Sequence, residues 1–458
     1  MSRGGRPADF PALARDRDRL PPVYLDSACM SLVPRPVLRA MEEYYRDYPG
    51  CAGRSLHRFS EEVSRRFEGA RRAFARYLGR SDPRGIVFLR NATEAIHQVG
   101  EGLRWKRGER VLISDREHNS NLILWQRLAR ERGIRIEVLP LREDGAFDPE
   151  ELERHLVPSV RLVSLFHTSN LDGRSLPVRE ITERAHDRGA LVLIDGCQAA
   201  PHERPELDRI GIDFYALSAH KMLGPSGVGV LAGRPEVLED LRPLVVGGET
   251  VEWSTLTDHA LRPAPHRFEA GLQNYAGVLG AHAGLDYLEA VGLDEVRARE
   301  LRVNRRVSAA LAGDPRVRRW GPEDPQDRPS IFAFSLEGVD PHDAAIFLDE
   351  GHGVMVRSGM HCVHSFYAAR GLPGNLRASF YLYNGTDDAD ALVRGVRELL
   401  ERVGDRRISG TSAGTAALPS RRASGRPHAA GSTGVAARSA PPPRRAVPGR
   451  AASGAGSG

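Results

Sequence analysis

Short apolar runs alternate with amphipathic stretches through the first half of this chain. The runs at 86–89, 110–114, 134–139, 160–166, 190–194 and 214–217 are rich in Val, Ile and Leu and stop at polar residues. Continuous apolar runs of this length predict strands buried on both faces. Shorter strand-like runs lie at 23–26 and 227–231. Between the runs the period lengthens. Val63, Phe67, Ala70, Phe74 and Leu78 recur at three- and four-residue steps and predict a helix over 61–78, with Gly79 as its stop. Helices are also expected over 36–48, 122–132, 149–155 and 178–188. Another starts directly after the strand at 86–89, where Asn91 can cap and Glu94 takes the capping-box position. This alternation predicts a mostly parallel sheet with helices on its faces.

Past Gly233 the pattern loosens. Residues 247–274 are largely polar with few regular elements, and so long an irregular segment is usually functional. Helices follow over 275–291 and 293–311. A smaller α+β unit comes next: a strand at 330–336, a helix at 341–350, strands at 354–357 and 376–382, and a helix at 387–403. Residues 406–458 are dominated by Ala, Gly, Ser, Pro and Arg and lack the apolar content to fold. The expected organisation is a flexible start (1–20), a large domain (21–290) whose first segment partly packs on the small one, a small C-terminal domain (291–405) and a disordered tail (406–458).

Composition sharpens this outline. The hydrophobic share of 41% suffices for a large core, yet no apolar run approaches a membrane span. The first twenty residues lack the apolar centre of a secretory signal. Four cysteines without paired spacing favour reduced thiols in the cytoplasm over disulfides, and no metal-ligand spacing is present. The net charge is +5, but nine arginines and no acid follow residue 405, so the rest of the chain carries −4. Nucleic-acid binding is therefore expected, if anywhere, of the basic tail.

The candidate chemistry sits where the strands stop. Asp195 and Gln198 follow one apolar run; Ser218, His220 and Lys221 follow the next. Open α/β sheets bind ligands at such strand ends. Lysine is seldom buried without a partner or a task, and a buried one readily forms a Schiff base. Lysine with aspartate is the arrangement pyridoxal phosphate enzymes use. The turn at Asn91–Thr93, a helix start just after a strand, offers N–H groups to a phosphate.

At this point a resemblance becomes specific. The string DFYALSAHKMLGPSGVGVL resembles the cofactor-lysine signature of class V aminotransferase-like enzymes, nearest to the SufS-type (group II) cysteine desulfurases and selenocysteine lyases. YLDSACMSLVPRPV, NATEAIHQV, REHNSNLILWQ, HTSNLDGRSLPVREI, LIDGCQAA, RFEAGLQNYAGVLG, VRSGMHCVH and RASFYLYN match in the same order, over roughly residues 20–405. The resemblance implies fold-type I architecture: a large α/β domain with a mostly parallel seven-stranded sheet, a small C-terminal α+β domain, and a homodimer. It implies pyridoxal 5'-phosphate held covalently by Lys221, which later moves the substrate Cα proton. Asp195 would pair with the ring nitrogen, Gln198 with the ring hydroxyl, and His118 would stack on the ring. Thr93, Ala92 N–H, Ser218 and His220 would hold the phosphate. Asn170, Arg357 and Arg377 would bind the amino-acid substrate, Arg377 gripping its carboxylate with two prongs.

Cys362 falls at the position of the family's sulfur-accepting thiol, and His361 and His364 flank its loop. A desulfurase needs such a thiol; an aminotransferase does not. The implied reaction turns L-cysteine into L-alanine and leaves a persulfide on Cys362 for an acceptor protein. Selenocysteine lyase, another C–S lyase, an epimerase, an aminotransferase and a non-catalytic sulfur-relay scaffold are the alternatives. Cys29, Cys51 and Cys197 are expected to be structural. Three positions depart from the family pattern: Met360 and Asn119 where histidine is common, and Leu272 where threonine is common.

Overall fold

The protein is described here by a computed structural model covering residues 7–14 and 20–408. The tail expected over 406–458 lies almost entirely outside the described residues.

Seven strands form the first sheet: β1 (Ile86–Leu89), β2 (Arg110–Ser114), β3 (Arg135–Leu139), β4 (Val160–Phe166), β5 (Leu191–Asp195), β6 (Phe214–Ser218) and β7 (Gly229–Gly233). Their order is β1-β7-β6-β5-β4-β2-β3. Only β7 runs against its neighbours β1 and β6; the other pairings are parallel. Strand alternation splits the apolar residues between two cores. Val192, Ile194 and Tyr215 face one, with Phe67, Phe74 and Tyr275. Leu193, Phe214 and Val111 face the other, with Trp125. Both faces being covered explains why the central strands read as nearly unbroken apolar runs, whereas the edge strand β3 alternates and is only partly buried.

Helices α1 (Arg35–Asp47), α2 (Arg58–Leu78) and α3 (Ala92–Gly102) start where the pattern placed them, within a few residues. Gly79 closes α2 with a left-handed φ of 71°, a conformation glycine adopts without the usual steric cost. Asn91 caps α3 by accepting from Glu94 N–H at 3.0 Å. The long polar segment is tied down by one buried ion pair. Arg71 donates to both carboxylate oxygens of Glu269 at 2.7 and 2.9 Å, and Glu269 also accepts from Phe88 N–H.

A second sheet, β8 (Val317–Trp320), β9 (Ile331–Leu336), β10 (Arg357–Gly359) and β11 (Asn375–Ser379), is antiparallel in the order β8-β9-β11-β10. The N-terminal strand Val23–Tyr24 pairs with Val354–Met355, and Asp26 bridges to Ser379. Thus the first segment of the chain runs along the second sheet.

Four features differ from the expectation. Residues 251–261 form a hairpin, Val251–Ser254 with His259–Leu261, whose side chains are mostly exposed and so leave no alternating signal. β8 reads as polar because it is an edge strand, with Arg318 stacked over Trp320. A short helix, His364–Ala369, follows the Cys362 loop. The last strand stops at Ser379, and Phe380 to Leu382 continue as buried irregular chain.

One close approach sets the position of the α3 N-terminus. A Cβ on Gly229 would lie 2.4 Å from Cα of Asn91. Gly229→Ala is therefore expected to destabilise the fold by about 1–3 kcal/mol through overpacking, measured as a lowered Tm. An unchanged Tm would contradict this packing.

Candidate active site

The ends of β4, β5 and β6 open into a cavity of about 250 Å³, closed on the far side by residues of the second sheet. All twelve residues singled out above line it: Ala92, Thr93, His118, Asn170, Asp195, Gln198, Ser218, His220, Lys221, Arg357, Cys362 and Arg377.

One wall is built for an anion. α3 begins with its N–H groups toward the cavity, and the N–H of Ala92 donates to Ser218 Oγ at 2.9 Å. Thr93 Oγ1 meets Ser120 Oγ at 2.7 Å. His220 and Lys221 follow in the short 3-10 turn after β6. Burial, and then the adjacent Lys221, push His220 down to about 4, so it meets a ligand as a neutral imidazole.

The floor is built for a ring. Asp195 ends β5 and is held by Cys197 N–H at 3.0 Å. His118 accepts from Ser120 N–H at 3.1 Å. Burial and the positive charge of Lys221 push His118 down to about 4 against the pull of Asp195. Next to it in the chain is Glu117, which the sequence did not single out. It accepts from Ser114 Oγ at 2.6 Å and Asn121 Nδ2 at 2.9 Å, and its burial raises it to about 8. Only its place beside His118 in the string REHNSN hinted at it. Gln198 reaches across to the carbonyl of Ala28 at 2.7 Å.

The second sheet supplies the remaining wall. Arg377 is buried; it donates to Asn170 O at 2.8 Å and pairs with Asp26 at 3.2 Å, while its Nε has no partner among the described residues. Burial lowers its pKa and Asp26 opposes that shift. Asn170 in turn donates to the carbonyl of His361 at 2.8 Å. His361 and Cys362 occupy consecutive left-handed conformations, with φ of 48° and 59°. Two such non-glycine residues in a row store strain of the kind that gathers at functional loops. Asn119 braces the turn: its N–H donates to Cys362 O at 2.7 Å, and its amide meets His364 Nδ1 at 2.8 Å.

Two of the thiols expected to be structural reach the site. Cys29 and Cys197 also line the cavity. The turn after Tyr24 carries Cys29 there, and Cys197 lies two residues past Asp195. Burial pushes Cys197 up to about 12, so it stays an inert thiol despite its position. Arg357, expected at the substrate, faces the sulfurs of Cys29 and Cys362.

The donor set fits pyridoxal phosphate: helix N–H groups and a hydroxyl for the phosphate, a carboxylate for a ring N–H, an imidazole for the ring face and an amine for the aldehyde carbon. Fold and cavity together define a fold-type I enzyme. The chain belongs to the class V aminotransferase family, whose family model matches residues 23–392. A probable cysteine desulfurase of Halalkalibacterium halodurans is 37% identical over 398 residues, covering 86% of this chain and 97% of that one. The solved apo structure of cysteine desulfurase from Thermococcus onnurineus aligns with a TM-score of 0.82 at 33% identity, covering 86% of this chain and 97% of that one. The cysteine desulfurase CsdA of Escherichia coli, solved in an S-sulfonic acid form, aligns at 0.80 and 34%, covering 86% and 97%.

The neutral histidines make a pH prediction. His118, His220 and His361 are all depressed from 6.5, to between about 3 and 4. Between these values and 6.5 the unfolded chain binds more protons than the folded one, so stability is complete above 6.5 and is lost as pH falls toward 4. Thermal midpoints should drop over that window. His361→Asn, which tolerates the left-handed turn, should show a shallower acid slope; an identical slope would contradict the assignment.

Proposed function

We propose that the protein is a pyridoxal phosphate-dependent cysteine desulfurase, converting L-cysteine to L-alanine and taking the sulfur onto Cys362. The observation that carries the reading is Cys362 on a strained, braced turn, opening into the same cavity as Lys221 and Asp195. An aminotransferase or epimerase has no use for a thiol at that place. The desulfurase relatives support the same reading.

Pyridoxal phosphate, when bound, supplies an electron sink for the pair released at the substrate's Cα. The chain's own residues do the rest. Ala92 N–H, Thr93, Ser218 and His220 hold the phosphate. Asp195 keeps a proton on the ring nitrogen, Gln198 meets the ring hydroxyl, and His118 covers the ring face. Arg377 and Asn170 fix the substrate carboxylate, and the unpartnered Nε of Arg377 leaves that guanidinium a further donor. Lys221 takes the Cα proton and returns it to carbon. Cys362 attacks the substrate sulfur as a thiolate: an S–S bond forms, the C–S bond breaks, and its electron pair stays with the carbon portion that becomes alanine. Arg357 faces the attacking sulfur at 3.6 Å.

The reading extends to the assembly. Val245, Val246, Trp253, Leu256 and Leu272 are exposed apolar side chains on the segment around the hairpin, and they suit a second copy of the chain, so we take the protein as a homodimer. Where its relatives usually place threonine, Leu272 cannot hydrogen-bond a phosphate across that contact. An acceptor protein would collect the sulfur in the cytoplasm; no helix among the described residues is long and apolar enough to cross a membrane.

Purified protein given L-cysteine and a thiol acceptor should form alanine and sulfide in equal amounts. Cys362→Ser should lower the rate at least ~100-fold while cofactor absorbance is retained, in keeping with the scale of losses when a reacting group is removed. Full activity in that variant would refute the nucleophile assignment. In Lys221→Ala both the covalent cofactor signal and turnover should disappear.

A further inference from the structure

Two of the four cysteines face one guanidinium. Arg357 Nη1 donates to Cys29 Sγ at 2.6 Å, and Nη2 donates to Cys362 Sγ at 3.6 Å. Both sulfurs line the cavity that contains Lys221, and both residues are half-buried. A guanidinium is planar, and its two terminal nitrogens form one rigid fork. Both sulfurs are thus gathered around one guanidinium group.

The backbone on either side is fixed. Cys29 N–H donates to Asp26 O at 3.0 Å. The preceding Ala28 donates to Ser379 Oγ at 2.9 Å and accepts from Gln198 at 2.7 Å. Cys362 is held by Asn119 N–H on its carbonyl. Arg357 stands opposite Arg377 in the β10–β11 register.

We infer that Cys29 is a second sulfur carrier, which takes the terminal sulfur from Cys362 inside the same cavity. The inference rests on the desulfurase reading, since it requires a persulfide on Cys362. The Cys29 thiolate attacks the outer sulfur of the persulfide. A bond forms between Cys29 Sγ and that sulfur, the bond between that sulfur and Cys362 Sγ breaks, and the electron pair leaves on Cys362 Sγ. Cys29 gives up a proton and Cys362 takes one up, so the exchange needs neither oxidant nor reductant. Arg357 touches both the attacking and the leaving sulfur, and a cation beside sulfur is the setting in which thiolates attack and leave. The transfer frees Cys362 for another substrate while the first sulfur stays on the protein.

Alanine counted per chain in the first burst tests this, using holoenzyme and L-cysteine with no reductant or acceptor. Wild type should release about two alanines per chain and Cys29→Ser about one, because each carrier thiol holds one sulfur through thiol exchange. A structural role for Cys29 would alter the rate of the burst and leave its amplitude alone. A second measurement needs no turnover: mild oxidation with diamide followed by peptide mapping should yield a disulfide joining Cys29 and Cys362, and its absence would overturn their proximity. Equal bursts in the two proteins would overturn the relay and leave the desulfurase reading standing. So would one alanine with an equal amount of free sulfide and a Cys29–Cys362 disulfide, which marks attack on the inner sulfur. No alanine from either protein would defeat the desulfurase reading itself, and the relay with it.

Discussion

A buried guanidinium cannot be left alone, and Arg377 is almost wholly removed from solvent. A charge in a low-dielectric interior persists only when paired and hydrogen-bonded. Its partners come from separate parts of the chain: Asp26 from the N-terminal segment and Asn170 from the loop after β4. Satisfying one side chain on β11 therefore draws the N-terminal segment, the first sheet and the second sheet around a single cavity. Burial raises the Asp26 carboxyl, and the positive charges of Arg377 and Arg357 pull it back toward the anion. Cys29 and Cys362 are both delivered by the segments this pair organises.

The same burial sorts charge within the cavity. His118, His220 and His361 are driven to the neutral form chiefly by loss of water. Fixed positive charge on the second-sheet wall is left to Arg357 and Arg377, since arginine does not deprotonate in proteins. Stacking and hydrogen bonding are thereby given to neutral rings, and anion binding to the guanidinium groups. Such a division suits a carboxylate and a thiolate held in the cavity that Lys221 also lines.

Much of this was legible in the chain. The first sheet declared itself because its central strands β4, β5 and β6 are buried on both faces, so apolar runs and polar endings mark them. Lys221, Asp195 and Cys362 were legible from ordered strings on either side of them, and these residues converge because strand ends converge. The hairpin at 251–261 and the edge strand β8 were hidden because neither has a fully buried face. The place of Cys29 was hidden for another reason. Its only marker is contact with Arg357, which arises when the N-terminal segment lies along the second sheet, and no periodicity records a contact between residues so far apart. Glu117 was obscured in the same way: as a letter it is a surface residue, and only the network of Ser114, Asn121 and Phe166 makes it a buried one.

Desulfuration at this site requires the substrate's sulfur to reach Cys362 within the cavity. Single-turnover reaction with sulfur-labelled L-cysteine, quenched early and mapped by peptide, tests that most directly. The label should appear first on the peptide containing Cys362, in step with alanine. Alanine formed with the label only in free sulfide, and none on the protein at any time, would contradict the account.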